Sequence, residues 1–134
     1  MSQATVLIVE DDAALRDALC ATVELAGFGV NAAANGVEAL QLIETQSFDL
    51  VVSDVQMEGM DGHALLHKVK AAIPELPVVL MTAYGTIQTA VESMRNGAAD
   101  YLVKPFAAEV LVEMIRRYLP GSCCLLYTSP SPRD

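Results

Sequence analysis

The sequence predicts a doubly wound α/β fold: five parallel strands in the order 2-1-3-4-5, with helices on both faces of the sheet. Three observations carry this reading. Short runs that are apolar at every position recur along the chain, Val6-Leu7-Ile8-Val9, Leu50-Val51-Val52 and Val78-Val79-Leu80-Met81, as strands buried on both faces require. Between them lie stretches whose apolar residues repeat at helical spacing. Gly27, Gly36, Gly62 and Gly97 punctuate the pattern at helix ends or turns, where positive φ or close packing is needed.

Taken in order, the first run ends in Glu10-Asp11-Asp12 and is followed by a helical pattern of Leu15, Ala18, Leu19, Thr22, Val23 and Ala26. Cys20 falls on the apolar face of that helix as a small core residue. Asp12 stands immediately before it, where an N-cap role and a role in the acidic group are equally compatible with the sequence. Val37, Leu40 and Ile43 mark a second helix, and Leu65, Val69 and Ile73 a third. A fourth follows at Ile87, Ala90, Val91 and Met94, then a fifth strand at Tyr101-Leu102-Val103 and a fifth helix at Val110, Leu111, Met114, Ile115 and Tyr118. Such alternation makes five βα units, and in that architecture ligands sit at the carboxyl ends of the strands.

Length and composition bound the rest. A chain of 134 residues suits a single domain, placed at residues 1–120. The hydrophobic fraction is 53%, yet no apolar run approaches the roughly 18 residues needed to span a bilayer. No basic stretch precedes an apolar segment at the N-terminus, which points to the cytoplasm. A net charge of −9 argues against direct nucleic-acid binding, since phosphate contacts need basic side chains. The three cysteines form neither a disulfide framework nor a zinc spacing. Residues 121–134 lack periodicity, and Leu-Leu-Tyr-Thr-Ser-Pro-Ser-Pro-Arg-Asp resembles translated cloning sequence; this tail is expected to be disordered and non-native.

The candidate chemistry lies at the strand ends. Glu10, Asp11 and Asp12 follow strand 1, Asp54 follows strand 3, Thr82 follows strand 4, and Lys104-Pro105 follows strand 5. Crowded carboxylates repel one another unless a cation or proton compensates. Oxygen ligands favour Mg²⁺, which binds phosphoryl oxygens through one or two carboxylates and water. Three carboxylates, one divalent ion and the Lys104 ammonium sum to zero charge, so such a site can accept an anion. Asp54 then suits a nucleophile, with Lys104 and the Thr82 hydroxyl on the transferred phosphoryl group. His63 and His67, four residues apart on a helix, have a metal-compatible spacing but no third ligand.

Val9-Glu10-Asp11-Asp12, Asp54-Val-Gln-Met, Met60-Asp61-Gly62, Met81-Thr82-Ala83 and Asp100-Tyr101-Leu102-Val103-Lys104-Pro105-Phe106 together resemble the signature set of response regulator receiver domains, in order and at family-like spacing. The resemblance implies a flavodoxin-like fold. It implies Asp54 as phosphoacceptor, with Mg²⁺ held by Glu10, Asp11, Asp54 and the backbone carbonyl of Gln56. It makes Thr82 and Lys104 the phosphoryl contacts, Thr82 and Tyr101 a switch pair, and the Lys104-Pro105 peptide cis. A sensor histidine kinase would be the phosphodonor, and the fourth and fifth helices with strand 5 a homodimer face. The stretch from Met81 to Phe106 further resembles receivers of the nitrogen-regulator type, flagellar regulators among them, which precede an ATPase that activates sigma-54 RNA polymerase. No Gly-x-x-x-x-Gly-Lys-Ser/Thr motif occurs in these residues, so such an output domain is missing here.

Two positions depart from the family pattern. Glu10 stands where Asp is commoner, and Met57-Glu58-Gly59-Met60 lacks the loop proline, with Glu58 adding a charge near the site. Competing readings fail locally. A flavodoxin-type carrier needs a phosphate loop after strand 1, where three acids stand, and a haloacid dehalogenase-type phosphatase needs Asp-x-Asp where the chain has Glu-Asp-Asp. A receiver-like module that is never phosphorylated is disfavoured by the presence together of Glu10, Asp11, Asp54, Thr82 and Lys104.

Overall fold

The computed structural model describes residues 4–56, 59–83, 91, 92, 94, 95 and 97–119. Its strands are β1 (Thr5–Val9), β2 (Gly29–Ala33), β3 (Leu50–Asp54), β4 (Val78–Thr82) and β5 (Asp100–Val103). They form one parallel sheet in the order β2-β1-β3-β4-β5. Helices α1 (Ala13–Leu25), α2 (Gly36–Thr45), α3 (Gly62–Ala72) and α4 (Ala108–Tyr118) pack against it. The helix patterned on Ile87, Ala90, Val91 and Met94 falls partly outside the described residues, but Val91, Glu92, Met94 and Arg95 are helical.

Every residue of β3 and β4 is buried, which is why those strands read as continuous apolar runs. Side chains alternate between faces, so Leu7, Val9, Val51 and Leu80 join Leu65, Leu66 and Val69 of α3 in one core. Val6, Ile8, Val52 and Met81 join Leu19 and Val23 of α1 and Leu111, Met114 and Ile115 of α4 in the other. Cys20 packs at the margin of this second core, half-buried, as expected of a small apolar side chain. β2 has no comparable run. It is an edge strand, half-exposed over most of its length, and its sequence Gly-Val-Asn-Ala-Ala carries a weak strand signal.

Helix ends follow their local chemistry. Asp12 is the N-cap of α1, its Oδ1 accepting from the N–H groups of Ala14 at 3.0 Å and Leu15 at 3.3 Å. Asn35 and Asp61 cap α2 and α3 in the same way. Gly27, at φ 99°, follows the last turn of α1 in a conformation that a side chain would oppose.

Gly62 acts through close packing. A Cβ there would lie 2.5 Å from the carbonyl oxygen of Asp54 and 2.8 Å from the Cα of Val55, both backbone atoms. A Cβ on Gly36 would instead meet the Met60 side chain, at 2.7 Å from its sulfur, and that chain can rotate. Gly62→Ala should therefore destabilise the fold by about 1–3 kcal/mol, and Gly36→Ala by clearly less. Urea denaturation of both variants checks the ranking, and equal losses would contradict it.

Candidate phosphoacceptor site

Parallel strands point their carboxyl ends the same way, and here that places β1, β3, β4 and β5 with their chemically active residues along one edge of the sheet. Glu10 follows β1, its N–H still donating to Ala33 O at 3.1 Å, so the β1–β2 pairing carries past the strand end. Glu10 is only 1% exposed, and Asp54, the last residue of β3, only 5%. Asp11 is exposed. One carboxylate oxygen from each of Glu10, Asp11 and Asp54 lies within 4.8 Å of the others, the one such group of potential metal ligands among the described residues. Asp12 is not in it; the open choice at that position resolves to the N-cap. His63 and His67 both lie on α3, outside this group.

Lys104 completes the arrangement from β5. Its Nζ lies 2.9 Å from Glu10 Oε1 and 3.3 Å from Asp54 Oδ1. The Lys104-Pro105 peptide is cis, and the Lys104 N–H donates to Thr82 O at 2.7 Å, tying the end of β5 to the end of β4. Thr82 is 2% exposed. Tyr101 is half-buried against the α2–α3 core and pairs with Leu80, whereas Thr82 pairs with Val103, so the two expected switch residues sit two registers apart on neighbouring strands. Gln56 lies two residues past Asp54, and its N–H approaches Asp54 Oδ1 at 3.4 Å. Glu58 lies outside the described residues.

Two supporting residues escape a reading of the sequence. Arg16 of α1 donates from Nη1 to the backbone carbonyl of Glu10 at 2.9 Å, fixing the turn that carries the acids. Ser53, fully buried, donates its hydroxyl to the Asp54 carbonyl at 3.0 Å, the same oxygen that Gly62 approaches from outside. An Arg on a helix and a Ser in a strand announce neither role. A cavity of about 520 Å³ between α1 and α4 is a third feature without a sequence signal. Leu15, Ala18, Phe106 and Leu111 line it, and Lys104 stands at its edge.

The electrostatics are under-compensated. Burial pushes the Glu10 carboxyl above its ordinary value, against the lowering effect of Lys104 and the Asp12 N–H. Burial would lower Lys104, but the hydrogen bond to Glu10 and the Asp54 charge hold it above its ordinary value. One ammonium thus faces three carboxylates, two of them almost without water, so the donor set fits a hard divalent cation.

A raised acid pKa in the folded state means stability that is full below the unfolded value, 4.5, and lost as pH rises through the folded value. Lys104, also raised, stabilises below 10.5 and loses that contribution above it. In metal-free buffer, Glu10→Gln should therefore gain stability relative to the parent as pH rises from about 4.5 towards neutrality. Urea titrations across that range check this, and a pH-independent difference would refute it.

Comparison with known proteins agrees with this geometry. The response regulator receiver domain family matches residues 6–116. The response regulator protein FleR of Pseudomonas aeruginosa is 52% identical over 123 residues, covering 89% of this chain and 26% of FleR. DctD of Rhizobium meliloti, a C4-dicarboxylate transport transcriptional regulatory protein, is 44% identical over 113 residues, covering 84% of this chain and 25% of DctD. The chain thus spans about a quarter of the length of these curated relatives. Among solved structures, the receiver domain of NtrX from Brucella abortus superposes with a TM-score of 0.81 at 36% identity, covering 87% of this chain and 99% of that one. The chemotaxis protein CheY4 of Vibrio cholerae does so with 0.83 at 32% identity, with the same coverage of each chain. With 111 consecutive residues matched and the same five-stranded sheet, this chain belongs to the response regulator receiver domain family.

Proposed function

We propose that this receiver is a phosphorylation-controlled switch in which Asp54 is the phosphoacceptor. The observation that carries the reading is the meeting of Glu10, Asp11 and Asp54 within 4.8 Å, with Lys104 bridging Glu10 and Asp54. Glu10, Asp11, Asp54 and the Gln56 carbonyl would hold Mg²⁺, which when bound offsets the carboxylates and the charge of phosphoryl oxygens. A carboxylate oxygen of Asp54 attacks phosphorus in a phosphohistidine of a sensor histidine kinase. The O–P bond forms as the P–N bond breaks, and the imidazole leaves with the electron pair and takes a proton. The Lys104 ammonium and the Thr82 hydroxyl then neutralise and bind the new phosphoryl oxygens. Release by water returns Asp54 to its carboxylate.

Movement of Thr82 towards that group, with Tyr101 repacking behind it, would carry the change to β4, β5 and the helix between them. The helix between β4 and β5, together with α4 and β5, is the proposed homodimer surface. The receiver would occupy residues 1–120 of a cytoplasmic regulator, the tail taking no part. The regulated element would be a transcriptional output domain outside these residues, and the resemblance of Met81 to Phe106 to nitrogen-regulator receivers favours a sigma-54-activating ATPase. The net charge of −9 leaves nucleic-acid binding to that output domain.

Incubation with Mg²⁺ and a small phosphodonor should add one phosphate to the parent and none to Asp54→Asn by intact mass; equal addition to both would remove Asp54 from the role. Beryllium fluoride with Mg²⁺ should also raise the melting temperature of the parent by several degrees, since saturation at 100 times Kd is worth about 2.7 kcal/mol.

The apolar cavity between α1 and α4 reaches Lys104, so a kinase helix seated there would carry its phosphohistidine to the site. Ala18 is exposed on its wall. Ala18→Arg should cut transfer from the kinase at least tenfold while phosphorylation by the small donor stays within about twofold, a tenfold change being about 1.4 kcal/mol. Equal loss with both donors would count against kinase docking there.

A further inference from the structure

We propose that the flank of α4 turned to α1, with the end of α1 beside it, is a contact face for a second copy of this chain, the two α4 helices packing antiparallel across a two-fold axis. The face is distinct from the surface formed by α4, β5 and the helix between β4 and β5. Arg117, paired with Asp100, marks the flank of α4 turned to β5. The proposal does not rest on the phosphoacceptor reading.

A groove of about 490 Å³ separates the end of α1 from α4. Leu25 lines it from α1 and is 89% exposed, against 55% for Val37, the next most exposed of the described large apolar residues. A lone exposed leucine is ordinary on a protein surface, but this one faces an ordered stripe of charge. Glu109, Val112, Glu113 and Arg116 line the groove from α4, at the i, i+3, i+4, i+7 spacing of one helix face. None of the three charged residues has an ion-pair partner among the described residues. Their order selects the occupant. The stripe begins acidic and ends basic, so turned end for end it presents base to acid and acid to base. Two α4 helices related by a dyad between Val112 and Glu113 place Glu109 of each copy opposite Arg116 of the other, with Leu25 and Val112 covered between the two ion pairs. A chain of net charge −9 repels its own copies in other orientations, which favours the one register where opposite charges meet. The groove shares Thr22 and Ala108 with the larger cavity that reaches Lys104, so a copy seated here would also narrow access to that cavity.

Sedimentation velocity on the full, unphosphorylated chain in metal-free reducing buffer tests this. A small helix-pair interface belongs to the weak, transient class, so the weight-average sedimentation coefficient of the parent should rise towards that of a dimer between about 10 µM and 1 mM. Glu109→Arg and Arg116→Glu should each weaken association at least about tenfold, because either change sets like charges opposite one another twice. An equimolar mixture of the two variants should associate again, since both cross pairs are then opposite in sign; misfolding of either variant could not produce that rescue. Leu25→Ser should also weaken association, whereas Val103→Arg, on the β5 side, should leave it unchanged. A parent that stays monomeric throughout, a mixture that fails to associate, or loss of association in Val103→Arg would overturn the proposal. Failure of the phosphoacceptor reading would appear elsewhere, as no mass added at Asp54, and would leave this result standing.

Discussion

Three carboxylates share one end of a sheet with a single ammonium, and two of them are nearly sealed from water. Like charges at such separations oppose folding, and burial adds a desolvation cost. The arrangement persists because it is attached to the most buried part of the molecule. β1 and β3 lie side by side in the sheet, and apart from the half-buried Thr5 every residue of both strands is buried, between helices on both faces. The carboxylates cannot separate without disturbing that core. A surplus of negative charge is thereby stored in rigid backbone, poised for a cation, rather than relieved by side chains swinging apart.

The backbone around Asp54 shows how closely the site is built into the fold. Its carbonyl oxygen accepts from the buried Ser53 hydroxyl and faces α3 at Gly62, where no Cβ could fit. The Gly62 N–H in turn donates to Val55 O at 2.9 Å, so α3 begins in contact with the loop that leaves Asp54. On the opposite side, Arg16 fixes the Glu10 carbonyl from α1. Helices from both faces of the sheet therefore constrain a site that a list of acidic residues would place on strands alone.

Much of this was legible in the sequence, for physical reasons that also explain the gaps. Runs such as Val78 to Met81 are apolar at every position because both faces are covered, and the polar residue ending each run marks the sheet edge where chemistry gathers. Asp54, Thr82 and Lys104 stand at or just past the ends of such runs. β2 escaped because an edge strand need not be apolar throughout, and Gly-Val-Asn-Ala-Ala is half-exposed for most of its length. Asp12 could not be assigned from sequence, since a capping aspartate and a ligand aspartate are the same residue in the same place. Arg16 and Ser53 act on backbone carbonyls, and a carbonyl has no sequence signature. The apolar cavity needs two helices distant in the chain, α1 and α4, to be set side by side.

A switch also needs a route by which a change at Asp54 leaves the site, and the hydrogen bonds restrict the choices. Val55 N–H donates to Met81 O at 2.8 Å, joining the end of β3 to β4, and Lys104 N–H donates to Thr82 O at 2.7 Å, joining β4 to β5. Tyr118 then donates its hydroxyl to Ala99 O at 2.8 Å, and Arg117 pairs with Asp100 at 3.3 Å, so the far end of α4 is fastened to the start of β5. New charge on Asp54 would act first on Thr82 and Lys104, which share one hydrogen bond at the β4–β5 edge. Because the strands beneath are packed on both faces, they resist bending, and the compliant direction is outward, towards the half-exposed β5 edge where Val103 is 41% exposed. A charge added at the acidic end would thus be felt chiefly on the β5 side of the molecule, because everything behind it is packed on both faces.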